Sequence, residues 1–127
     1  MNERPEIINV IQDAAYEVHR HLKQGYLEAV YKAALKFELT QRGLKVEEEV
    51  PLAVRYKGHL VGEYRADLLV NDSIIIELKA CSELLPIHET QIINYLTTTG
   101  LDYGILINYG STRFAFRVKT RLYTKTT

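Results

Sequence analysis

The sequence predicts one mixed α/β domain spanning residues 1–127, a β-sheet with helices on its faces in the order α-α-β-β-β-α-β-β. Apolar residues recur at helical spacing as far as Gly43 and then at a spacing of two. Helical spacing returns once, between two short apolar runs. The composition, 46% hydrophobic and 25% charged, is that of a folded chain and argues against disorder. At 127 residues there is length for one core and not for two.

Pro5 opens the first helix, whose inward positions are Ile7, Ile8, Ile11, Ala14, Ala15, Val18 and Leu22, and Gly25 closes it. The second turns Leu27, Val30, Tyr31, Ala34 and Leu35 inward and stops at Gly43. In the next strand Val46, Val50, Leu52, Val54 and Tyr56 share a face, and Lys57-Gly58 turns the chain. The following strand runs to about Val70 and turns at Asn71-Asp72. Ile74 to Ala80 is a short apolar run of the kind that fills a central strand. Pro86 starts a third helix that ends at Gly100, and strands follow from Tyr103 to Asn108 and beyond Gly110-Ser111-Thr112. The first three strands are expected to form an antiparallel meander. The third helix then crosses over to a parallel strand.

Formal net charge is zero, with 16 basic and 16 acidic residues, so the chain is no general electrostatic coat for DNA. Glu47, Glu48 and Glu49 read as a solvated strand start. From Ser111 onward Arg113, Arg117, Lys119, Arg121 and Lys125 occur with no acid, which makes the tail the one basic strip for a phosphate backbone. No apolar run reaches the ~20 residues of a membrane span, no signal pattern opens the chain, and Cys81 has no disulfide partner. A cytoplasmic location is expected.

Chemistry concentrates on two neighbouring strands. Glu77 and Lys79 share a face, as do Arg65 and Asp67. The Asn71-Asp72 hairpin puts Asp67 and Glu77 at similar distances from the turn, hence side by side. Two carboxylates ~4 Å apart at an effective dielectric of about 20 repel by on the order of 4 kcal/mol. A divalent cation removes that repulsion, and oxygen ligands suit magnesium or manganese. The competing reading is a surface salt-bridge cluster of Asp67, Glu77, Lys79 and Arg65. In the third helix His88, Gln91 and Tyr95 form a polar stripe beside the apolar Ile92, Ile93 and Leu96. That helix follows the strand carrying Glu77 and Lys79 and can overhang its end, where α/β folds place ligands.

Ala66-Asp67, Glu77-Leu78-Lys79 and Gln91-Ile92-Ile93-Asn94-Tyr95, in this order, resemble the PD-(D/E)XK nuclease superfamily, in its branch with a Gln-x-x-x-Tyr helix. Gly25-Tyr26-Leu27-Glu28-Ala29-Val30-Tyr31 is similar to the signature of the small GxxExxY proteins placed in that superfamily. The resemblance implies a restriction-endonuclease-like core and a magnesium-dependent nuclease. It implies that Asp67, Glu77 and the Leu78 carbonyl hold the metal, joined by Glu28 directly or through water. Lys79 would orient the attacking water and stabilise charge on the phosphate, while Gln91 and Tyr95 steady the metal's water shell or the phosphate. Ala66 stands where the family name has proline; that proline is not a ligand.

Tyr31 shares a helix face with Glu28 and is expected to support its carboxylate; His88 is expected to support the Gln91 face. His19 and His21 fit the C-terminal end of the first helix as dipole caps. Cys81 with His88 could be drawn as a thiol nucleophile and base, but no distinctive motif surrounds the cysteine. The leading expectation is therefore a metal-dependent nuclease acting on DNA ahead of RNA. Its specificity would come from DNA shape, a partner protein or a homodimer giving one site per strand. The alternative is a nucleic-acid-binding or adaptor subunit with the same fold and little catalysis.

Overall fold

The computed structural model describes residues 4–121. Its elements are α1 (Glu6–Leu22), α2 (Glu28–Gln41), β1 (Val46–Tyr56), β2 (His59–Val70), β3 (Ile74–Lys79), α3 (Pro86–Thr99), β4 (Tyr103–Asn108) and β5 (Ala115–Thr120). This is the expected order. The five strands form one sheet in the order β1-β2-β3-β4-β5, with β3 and β4 parallel and every other pair antiparallel. The hairpin turns are built as their residues suggest, since Lys57, Gly58, Asn71 and Asp72 all have positive φ.

The sheet has two unlike faces. Ile8, Ile11, Ala14, Ala15 and Val18 of α1 and Tyr31, Leu35 and Leu39 of α2 pack on one, against Leu68, Val70, Ile74, Ile76, Leu78, Ile105 and Ile107. Tyr109 is buried in the same core and donates its hydroxyl proton to the Ala15 carbonyl at 2.9 Å. On the other face Leu96 of α3 meets Tyr64, Ala66, Leu69 and Ile75. Gly104 lets α3 lie close, because a Cβ there would stand 3.0 Å from Ile92 and 3.2 Å from Leu96.

The expected single apolar face of β1 breaks in the middle. Val50, Leu52 and Val54 pack on the α3 side, whereas Val46 packs on the α1/α2 side and Tyr56 is exposed. The cause is Glu49, whose φ of 53° lies in the left-handed region and rotates the strand about itself. β2 changes face at the matching point: Ala66 belongs to the α3 side and Leu68 to the α1/α2 side. Asp67 lies at that change of face.

Candidate active site

The β2–β3 ladder runs through Val70–Ile74, Leu69–Ile75 and Leu68–Ile76, where the recorded pairing ends. The next pair in that register is Asp67 with Glu77, and here side chains replace the missing ladder bonds. The Leu78 N–H donates to Asp67 Oδ2 at 2.8 Å, and the Asp67 N–H donates to Glu77 Oε1 at 3.2 Å. β3 remains paired with β4 as far as Lys79–Asn108. The sheet thus forks at Leu68, and the two carboxylates sit in the fork, each tied to the backbone of the opposite strand.

Burial there is costly for charge. It pushes the Glu77 carboxyl up to about 7, with the Asp67 charge adding to the shift. Asp67 is raised by burial and by Glu49, against the opposing Leu78 hydrogen bond. Glu28, the first residue of α2, is raised by burial and then by Asp67. The Lys79 charge acts against all three shifts. Asp67, Glu77, Lys79 and Glu28 therefore form one electrostatic neighbourhood, as expected.

A cleft of about 240 Å³ opens beside them, lined by Glu28, Ala29, Lys32, Glu49, Asp67 and Leu78. Two of these residues were not anticipated. Glu49, read as part of a solvated acidic run, reaches the cleft and accepts an ion pair from Lys32 Nζ at 2.9 Å. Tyr64 was also missed. Its ring stacks on Tyr95 with centroids 3.4 Å apart and planes 11° from parallel. Burial, and next the Glu77 charge, hold its hydroxyl far above the usual phenol range, yet the hydroxyl makes no hydrogen bond of normal geometry.

Other expected supporting residues are placed elsewhere. Arg65 is exposed; its guanidinium reaches the Glu49 carbonyl at 3.4 Å and the Glu63 carboxylate at 3.3 Å, so it serves β1 and β2 and no site carboxylate. Tyr31 does not hold Glu28. Its hydroxyl donates to the Lys23 carbonyl and accepts from the Tyr26 N–H at 3.2 Å, bracing the α1–α2 loop, while its ring stacks on Tyr109 at 4.6 Å. His88 Nδ1 accepts from the Leu85 N–H at 3.0 Å and so caps α3. Gln91 is exposed on α3, and no recorded hydrogen bond joins it to the acids. Tyr95 stacks on Tyr64, which lies between it and Glu77 in the chain of contacts. His19 stacks on Phe114 at 5.1 Å, and Cys81 Sγ lies 3.2 Å from the Glu83 carbonyl, so neither contacts the carboxylates.

Asn108, fully buried, was likewise unforeseen. Its Oδ1 accepts from the Cys81 and Gly110 N–H groups at 3.1 and 3.0 Å, and its Nδ2 donates to the Cys81 carbonyl at 2.9 Å. It pins the chain that leaves β3 just after Lys79.

Among the described residues no three His, Cys, Asp or Glu side chains gather closely enough to enclose a metal. The donor set nevertheless fits magnesium, which binds through one or two carboxylates and keeps water and phosphate oxygens for its other positions. The backbone bonds engage Asp67 Oδ2 and Glu77 Oε1, which leaves Asp67 Oδ1 and a second Glu77 oxygen beside the Tyr64 hydroxyl, and these donors are hard oxygens. A cation would also relieve the charge crowding that raises both carboxyls.

The model of the PD-(D/E)XK nuclease superfamily matches residues 5–120. The chain belongs to this superfamily. Among solved structures, the crystal structure of SSO0001 is similar, with a TM-score of 0.57 at 16% identity, covering 97% of this chain and 81% of that one. At that identity the likeness concerns the fold. No curated protein matches the chain. No helix among the described residues is long and apolar enough to cross a membrane.

Proposed function

We propose that residues 1–127 act as one metal-dependent nuclease domain that hydrolyses phosphodiester bonds, of DNA in the first instance, within the GxxExxY group of the superfamily. The observation that carries this reading is the fork at Leu68, with Asp67 and Glu77 facing each other and Lys79 next on the same strand face. The exposed Gln91, with Tyr95 behind Tyr64, would join only when substrate is bound.

Asp67, Glu77 and the Leu78 carbonyl would hold magnesium, or manganese in its place, with Glu28 reaching through water. When bound, the ion supplies Lewis acidity toward the phosphate and a more acidic water. The protein's own groups do the rest. Lys79 places a fixed positive charge where the transition state gains negative charge and orients the attacking water. Backbone hydrogen bonds hold the Asp67 and Glu77 carboxylates in place, so little reorganisation is needed during the reaction.

The test is incubation with linear, supercoiled and branched DNA, with magnesium or with EDTA, followed by calorimetric titration of magnesium. Lys79→Ala is expected to lower turnover by roughly 10²- to 10³-fold while magnesium still binds. Asp67→Ala is expected to lose both. Cleavage that persists in EDTA, or an Asp67→Ala protein that binds magnesium like the parent, overturns the reading. DNA binding without cleavage under every condition would instead favour an adaptor, which the outward-facing Gln91 also suits.

The homodimer remains part of the proposal, because two copies would present one site to each strand. Sedimentation showing only monomer at micromolar concentration excludes it.

A further inference from the structure

Two strands, β3 and β5, carry charged residues on one face of the sheet with β4 between them, and a groove opens outside the acidic cleft. On β3, Glu77 and Lys79 share the α3 side with Ile75. On β4, Gly104 contacts α3, which places Leu106 and Asn108 on that side too. On β5, Lys119 pairs with Glu89 of α3, which fixes Ala115 and Arg117 on the same side; Phe114, Phe116 and Val118 pack on the other. The register aligns them in rows, Glu77–Leu106–Arg117 and Lys79–Asn108–Ala115. Adjacent strands are about 4.8 Å apart, so Arg117 is rooted ~10 Å from Glu77 across the sheet.

Beyond Asn108 lies a groove of about 540 Å³ whose walls include Ser82, Glu83, Ser111, Arg113 and Arg117. The cations of this last segment are not equivalent. Lys119 is paired with Glu89, and Arg121 with Asp102 at 2.9 Å. Arg113 and Arg117 are exposed, and among the described residues neither forms a close ion pair, although the Arg117 charge adds to that of Lys119 in lowering the Glu89 carboxyl. Lys125, the remaining member of the expected basic strip, lies outside the described residues. Among the described residues Glu83 is the one acid on the groove wall. The groove therefore begins at Asn108, the register neighbour of Lys79, and its arginines are available.

We propose that this groove is a phosphate-backbone subsite, in which Arg113 and Arg117 hold the sugar-phosphate chain as it leaves the cleft past Lys79. The inference rests on the nuclease reading for the identity of the ligand. Arginine suits the role because its planar fork donates two parallel hydrogen bonds to a phosphate and stays charged at any working pH. Such contacts fix the position and direction of the strand without reading bases.

The experiment measures binding of a fluorescent 20-nucleotide DNA, single-stranded and duplex, over a salt series in EDTA, so that binding is read apart from cleavage. The Arg113→Ala/Arg117→Ala protein is expected to bind more weakly. Its log–log salt slope should be shallower by about 1.4 on single-stranded and about 1.8 on duplex DNA, from about 0.7 and 0.9 for each of the two lost phosphate contacts. Arg113→Lys/Arg117→Lys is expected to keep the parent slope. Magnesium titration of the alanine protein should match the parent, which shows that the fold and the cleft are intact. A slope and affinity unchanged in the alanine protein overturn the proposal, as does a parent protein with no measurable binding. If the slope falls but no cleavage is found with magnesium, the groove stands and the nuclease reading fails. If cleavage depends on Asp67 while the slope is unchanged, the nuclease reading stands and the groove fails.

Discussion

The two faces of the sheet solve different problems. The α1/α2 face is a continuous apolar core whose two deep polar groups, the Tyr31 and Tyr109 hydroxyls, both find backbone carbonyls. The α3 face has a smaller core around Tyr64, Ala66, Leu69, Ile75 and Leu96, and beside it sit a raised Glu77 carboxyl and an unbonded Tyr64 hydroxyl. Each face leaves a polar atom without a partner, His19 Nδ1 beside Phe114 on the first and the Tyr64 hydroxyl on the second, but the second adds a carboxyl raised by burial. The difference teaches that stability comes chiefly from the α1/α2 core, while the charges gather where the sheet forks and the start of α2, through Glu28 and Lys32, reaches the same cleft, and that this region carries a folding cost for its charges.

The sharpest way to break this comparison is to damage the quiet face. Leu35→Ala empties a fully buried position under α2 and is expected to cost about 2–5 kcal/mol of stability in denaturant unfolding. Activity per folded molecule should be kept. A folded Leu35→Ala protein with abolished cleavage would show that the faces are not separable.

A smaller effect should appear on the other face as a dependence on pH. The Glu77 carboxyl moves from an ordinary 4.5 in the unfolded chain to about 7 in the folded one, and Asp67 and Glu28 shift in the same direction. Below pH 4.5 Glu77 is protonated in both states and contributes nothing. Between 4.5 and 7 the folded state holds the proton that the unfolded state has lost, so stability falls as pH rises and stays lower above 7. For Glu77 alone the loss is on the order of 3 kcal/mol. Glu17, Asp72 and Glu89 are shifted downward and act oppositely, but they are solvent-exposed partners of surface cations and count for little. Metal-free thermal unfolding from pH 5 to 8 should show the fall. Glu77→Gln should flatten it, and magnesium should offset it by binding the ionised form. A Glu77→Gln profile parallel to the parent's would remove the burial argument.

The smallest expected change is Tyr64→Phe. Because the buried hydroxyl makes no hydrogen bond of normal geometry, its removal lifts a desolvation penalty and should raise metal-free stability by about 1 kcal/mol. A loss of stability would mean that the hydroxyl already holds Glu77 in the free protein, making this face better satisfied than described.

Much of the fold was legible because hydrophobic period and turn chemistry agree at Lys57-Gly58, Asn71-Asp72, Pro86 and Gly100. The pairing of Asp67 with Glu77 was also legible, since a tight turn fixes register symmetrically. Glu49 was not. Counting back from the Lys57-Gly58 turn, Tyr56–His59 and Arg55–Leu60 would carry Glu49 to Ala66. A bulge at Val61 adds one residue to β2, so the pairs become Glu48–Leu68 and Val50–Ala66 and Glu49 comes opposite Asp67. No local preference announces such an insertion. Lys32 carried a signal that could have been used, standing one turn after Glu28 on the same helix face. The roles given to Tyr31, His88 and Arg65 failed for a shared reason: spacing tells which side chains are neighbours, and a nearby backbone carbonyl or amide can capture the polar atom first.

Gly110 adds a mechanical consequence. A Cβ at this position would stand 2.3 Å from the Ala80 carbonyl carbon and 2.4 Å from the Cys81 nitrogen, so the two chain exits from β3 and β4 touch backbone to backbone, with the Asn108 amide clasping both. The segment that carries Lys79 out of the sheet and the segment that leads to Arg113 thus behave as a single rigid bracket. A strand gripped by the arginines would arrive with its spacing from the lysine already set, as work is held at a fixed distance from the blade of a tool.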